Sequence, residues 1–141
     1  RSGVVRRLRR AAAADGRIRL HAGYVPDDEV QLYLAAADAL VAPFERILTS
    51  SSVVVGLSYG LPVVAPDLGC MAEQIGAAGV VYPAGDEGLA QALMAIKQAD
   101  RAQMSAAARA IAAGLDWDDI GRRTAEVYRL TVEGGPVNGG Q

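Results

Sequence analysis

Three short apolar runs carry no polar alternation: Ala39-Leu40-Val41-Ala42-Pro43, Pro62-Val63-Val64-Ala65 and Ala78-Gly79-Val80-Val81-Tyr82. A strand that alternates can leave one face in water, but a strand apolar at every position needs cover on both faces. A parallel sheet between helix layers meets that condition. Stretches of helical character separate the runs. Strand alternating with helix implies right-handed βαβ units, so the predicted fold class is α/β: a parallel sheet layered between helices, with a helical C-terminal region.

The remaining elements follow from local signals. Alanines and arginines from Val4 to about Ala14 favour a helix, which Asp15-Gly16 breaks before a predicted strand over Arg17 to His21, the fourth of the set. Pro26 with Asp27, Asp28 and Glu29 opens a second helix, since proline and acids suit a helix start. After Asp86 the pattern is helical throughout: Leu89, Leu93 and Ile96, then the Ala-rich segment 101–113, then Trp117 to about Thr131. At 141 residues the chain is one domain's worth. It begins in the middle of a helical pattern, as expected of a piece of a longer protein. The domain is assigned to residues 1–133, and the Gly-rich residues 134–141 are expected to form a disordered tail.

Charge and rare residues narrow the function classes. The formal charge is -2, and no long surface mixes basic and aromatic residues, which argues against nucleic acid as a partner. Seven of the 14 Lys and Arg residues, Arg1, Arg6, Arg7, Arg9, Arg10, Arg17 and Arg19, fall within the first nineteen positions. The first helix is therefore basic and amphipathic, suited either to a solvated face or to peripheral contact with an anionic membrane. With one cysteine, Cys70, and one histidine, His21, a Cys/His zinc site and an internal disulfide are both excluded. No apolar run is long enough to cross a bilayer, and a cytoplasmic setting is expected.

The segment from Leu48 to Pro66 carries the chemistry. Thr49, Ser50, Ser51 and Ser52 open a short apolar helix that ends at Gly60, and a strand follows at once. The first turn of a helix leaves main-chain N-H groups without partners at the positive end of its dipole. A hydroxyl-rich start without bulky side chains therefore suits a phosphate, although the same residues also serve as ordinary caps. In an open parallel sheet such a helix start lies at the carboxyl ends of the strands, where ligands gather. The loops after His21, Pro43, Pro66 and Tyr82 are expected to share that rim.

Five segments in register, Val25 to Glu29, Ala37 to Pro43, Gly60 to Ala65, Gly69 with Glu73, and Gly79 to Asp86, resemble the GT-B glycosyltransferases of family 4, the glycosyl transferases group 1. Trp117 resembles the aromatic that begins the closing helix of that family. The resemblance implies the later part of a C-terminal, Rossmann-like, donor-binding domain of the GT-B fold. The acceptor domain and the start of the donor domain would lie elsewhere in the protein, and the segment alone is expected to be inactive.

One departure stands out. Family members commonly carry two glutamates with seven residues between them, near the sugar and the ribose of the donor. Those places hold Ile47 and Val55 here, and neither side chain accepts a hydrogen bond. Glu45 falls two positions early. The run Arg46 to Ser50 resembles instead a branch with a Leu-Thr-Ser stretch at this helix start.

The resulting donor-binding candidates are Thr49, Ser50, Ser51, Ser52, Arg46, Glu45, His21 and Glu73, with catalytic residues unassigned and no metal site. Preorganised N-H donors stabilise a leaving diphosphate as charge builds on it, and Arg46 adds a cation with bidentate geometry. The partners implied are a nucleotide-diphosphate sugar as substrate, an acceptor saccharide, lipid or small molecule, and the N-terminal domain; no cofactor is called for. Two other accounts use the same features. A GT-B-like sugar-nucleotide epimerase would take its acid and base from His21, Glu45 and Glu73. A non-catalytic module would use the basic first helix to recruit a partner or a membrane.

Overall fold

The three apolar runs pair in the predicted order. In the computed structural model, which describes residues 2–132, Leu40–Val41 (β1), Val63–Pro66 (β2) and Gly79–Tyr82 (β3) form a parallel sheet in the order β1-β2-β3. Leu40 lies opposite Val63, and Val63 to Pro66 run opposite Gly79 to Tyr82. The tail expected at 134–141 lies outside the described residues.

The helices are Ser2–Ala14 (α1), Asp27–Ala36 (α2), Ser51–Ser58 (α3), Met71–Ile75 (α4), Asp86–Gln98 (α5), Arg101–Ala113 (α6) and Trp117–Val132 (α7). A 3-10 turn, Gly76–Ala78, leads into β3. None of the described helices is long and apolar enough to cross a membrane. The chain divides between Tyr33 and Leu34 into two compact units, and α2 runs across the division.

In the second unit, the period of two along each strand decides which helix covers which face. Val63 and Ala65 of β2 pack with Val53 and Leu57 of α3, Met71 and Ile75 of α4, and Ala108 of α6. Val64 of β2 and Tyr82 of β3 point the other way, against Ala92 and Ile96 of α5. All four residues of β2 are buried, as a continuous apolar run requires. Burying each Val, Leu, Ile or Met of this set contributes about 1.5–3 kcal/mol.

The first unit holds α1 and the segment that leads to α2. The expected strand over Arg17 to His21 does not form, and these residues have no regular structure. The local chemistry favours a turn instead. The Asp15 carboxylate accepts from the Arg17 amide at 3.0 Å and from its guanidinium at 2.6 Å, and the Ile18 amide donates to the Asp15 carbonyl. The ion pair holds the Asp15 carboxyl below its ordinary pKa, because the carboxylate is the form that accepts these bonds.

Candidate functional site

The connection from β1 to α3, residues 42–50, leaves the carboxyl end of β1 and delivers the helix start to that edge of the sheet. Ser50 is the N-cap. Its extended backbone (φ -135°, ψ 117°) turns the chain into the helix, and its Oγ accepts from the Val53 amide at 3.2 Å. The Gln74 side chain fastens this turn from α4: its Oε1 accepts from the Ser50 amide at 3.1 Å and its Nε2 donates to the Ser50 carbonyl at 2.9 Å. Ser50 is accordingly buried with its hydroxyl, amide and carbonyl all engaged. It is the residue that sets the turn, and its amide and carbonyl are both taken by the protein.

The next two positions differ. Ser51 and Ser52 are exposed, and among the described residues their main-chain amides have no hydrogen-bond partner. Thr49 is exposed as well, just ahead of the cap. Two N-H groups therefore point out of the positive end of an apolar helix with no acid in its first turn. Arg46, four residues before the cap, is exposed and makes no ion pair among the described residues.

A second loop supports the first. The Cys70 amide donates to the Leu48 carbonyl at 2.8 Å. Gly69 has φ +57°, and a Cβ there would lie 2.6 Å from the Ile47 carbonyl oxygen and the Leu48 Cα. Only glycine lets the two backbones come this close without strain. Glu73 occupies the first turn of the five-residue α4 and is exposed. Its neighbour Gln74, rather than Glu73, reaches the α3 start. No sequence signal marked Gln74, because its partner is 24 residues away.

At the carboxyl edge of the sheet, residues that end or follow all three strands border a cleft of about 450 Å³. Pro43, Phe44 and Glu45 line it after β1, Pro66 at the end of β2, and Tyr82, Ala84, Gly85, Asp86 and Leu89 at the end of β3 and the start of α5. The expected rim is present for the loops after Pro43, Pro66 and Tyr82. Of the eight candidate residues, only Glu45 lines the cleft. Tyr82, Gly85 and Asp86 carry no site signal in the sequence, since Tyr82 ends a buried apolar run and no hydroxyl cluster lies beside it. Burial raises the Tyr82 phenol above its ordinary value, keeping it neutral.

His21 belongs to the first unit. Its ring meets that of Tyr33 edge-to-face with centroids 5.5 Å apart. It ends no strand, since Arg17 to His21 form none.

A parallel sheet clad by helices on both faces, with a cleft and an open helix start on its carboxyl edge, defines a Rossmann-like α/β domain. The family model for Glycosyl transferases group 1 matches residues 3–98, and the chain belongs to that family. In fold it is similar to sucrose-phosphate synthase from Thermosynechococcus elongatus, with a TM-score of 0.74 at 22% identity, over 92% of this chain and 35% of that one. The fold is thus part of a GT-B architecture, and this chain spans about a third of that protein's length. No curated protein matches the sequence significantly.

Proposed function

We propose that this chain is the donor-binding part of a glycosyltransferase that moves a sugar from a nucleotide-diphosphate sugar to an acceptor. The diphosphate lies at the α3 start, on the amides of Ser51 and Ser52, with Thr49 and Arg46 beside it. Family membership supports glycosyl transfer in general. The observation that carries the donor-site reading is the pair of unpartnered amides of Ser51 and Ser52 at the carboxyl edge. As the glycosidic bond to the donor breaks, charge builds on the diphosphate, and fixed N-H donors stabilise it without reorganising. The acceptor and the groups that move its proton belong to the rest of the protein, so this segment by itself is inactive.

Ser51 is the first helical residue, where proline is well tolerated, and Ser50 already has the extended backbone that a following proline requires. Ser51→Pro therefore deletes one donor while keeping the cap. Titration of the isotope-labelled full chain with UDP, GDP and ADP should shift the amide signals of Ser51 and Ser52 for at least one of them. Ser51→Pro should weaken that binding roughly tenfold or more, the worth of a hydrogen bond to a charged group. No saturable shift at these amides with any of the three would refute the reading.

A further inference from the structure

The cleft at the strand ends holds a polar group that the protein itself does not satisfy. Tyr82 is 5% exposed, with its ring packed in the core against Val64, Ala92 and Ile96. The ring also lies along the first turn of α5, where Gly88 makes room: a Cβ at Gly88 would sit 3.1 Å from Tyr82 Cδ2 and collide with the Pro83 carbonyl. A tyrosine this deeply buried ordinarily gives its hydroxyl a partner. Among the described residues the Tyr82 hydroxyl has none. Among the described residues no side-chain oxygen sealed from solvent lacks a partner, so this one reaches open space, and the space that Tyr82 borders is the cleft.

The wall beside it is equally unsatisfied. α5 begins at Gly85, which offers no side-chain cap, and the amides of Asp86, Glu87 and Gly88 have no partner among the described residues. Among the described residues, the charged side chains on the lining are the carboxylates of Glu45 and Asp86, and no cation lines the cleft. Two carboxylates without a counter-ion repel a phosphate or a carboxylate ligand. They accept hydrogen bonds from hydroxyls, while the phenol and the α5 amides donate to hydroxyl oxygens. Phe44 and Leu89 supply apolar surface for the face of a ring.

We propose that this cleft binds an uncharged, hydroxyl-bearing ring, and that Tyr82 is a specificity-determining residue for it. The assignment rests on the donor-binding reading for its setting: the diphosphate goes to the α3 start, and a ring of the same donor goes to the cleft. The transferred sugar and the ribose share this chemistry. A uronic acid does not, since its carboxylate would face Glu45 and Asp86.

The test maps amide shifts on the isotope-labelled full chain during separate titrations with methyl glucoside, uridine and glucuronate. Tyr82→Phe is the variant, because it keeps the ring in the core and removes only the hydroxyl. The expected result is saturable shifts at Gly85, Asp86 and Gly88 with methyl glucoside or uridine, whichever ring occupies the cleft. Tyr82→Phe should weaken that binding about three- to tenfold, the effect of one neutral hydrogen bond. Glucuronate should bind more weakly than the neutral probe that occupies the cleft. Absence of saturable shifts with both neutral probes, glucuronate binding equally well, or a Tyr82→Phe variant that binds as the parent does would each overturn the assignment. These probes carry no phosphate and the signals belong to α5, so the result is independent of whether nucleotide diphosphates shift Ser51 and Ser52.

Discussion

Adjacent serines at the start of α3 contribute unequally. The Ser50 hydroxyl closes the Val53 amide inside the protein, whereas the Ser51 side chain lies in solvent. Ser50→Ala should therefore cost about 1 kcal/mol of stability, the loss of a capping bond. Ser51→Ala should change stability by no more than about 0.5 kcal/mol. Urea denaturation of both variants measures the contrast, and equal losses would show that the cap is not where the structure puts it. That a helix begins here was legible, because four small polar residues precede an apolar run. Which of them caps it was not legible, since Thr49 and Ser50 are alike in preference and the deciding contact comes from Gln74, far along the chain.

Between elements, the closest constraint is the approach of β3 to β2. Gly79 is opposite Val63 in the ladder, and a Cβ at Gly79 would collide with the Val63 carbonyl oxygen. Its backbone is extended (φ -177°, ψ -162°), so any cost of substitution comes from packing and not from an unusual dihedral. Backbone atoms within a ladder cannot swing aside as a side-chain end can. Gly79→Ala should destabilise the chain by about 1–3 kcal/mol, the range for forcing a methyl into a filled site. A thermal melt unchanged from the parent would contradict that register. The same physics explains what was readable at this scale. β1, β2 and β3 follow from unbroken apolar runs, since such runs have no stable place except between two layers. Residues 17–21 lack that compulsion: Arg17 and Arg19 alternate with Ile18 and Leu20, a pattern that becomes a strand only when a neighbouring ladder accepts it. The Asp15–Arg17 pair holds the chain in a turn instead.

Across the molecule, burial is confined to one stretch of the chain. Every buried residue among those described lies between Ala42 and Ala108, and α1, α2 and α7 bury none. Large apolar side chains stay exposed at both ends, Val4 at 61% and Trp117 at 82% among them. Local opening costs free energy in proportion to the apolar surface and hydrogen bonds given up, from near zero at unburied elements to the full unfolding free energy at the core. An amide in β2 can exchange only when the sheet itself opens, because Val63, Val64 and Ala65 are sealed between α3 and α5. An amide in α1 is held by the helix alone, and an isolated helix of 13 residues is marginal in water. Native-state hydrogen exchange should accordingly protect residues 63–65 by at least about a hundredfold more than residues 6–12, since each factor of ten needs only about 1.4 kcal/mol of difference in opening free energy. The gap should close as urea approaches the unfolding midpoint, where global opening becomes the shared route. Equal protection of the two segments in water would mean that α1 shares the core's cooperativity, contrary to a burial pattern that ends at Ala42.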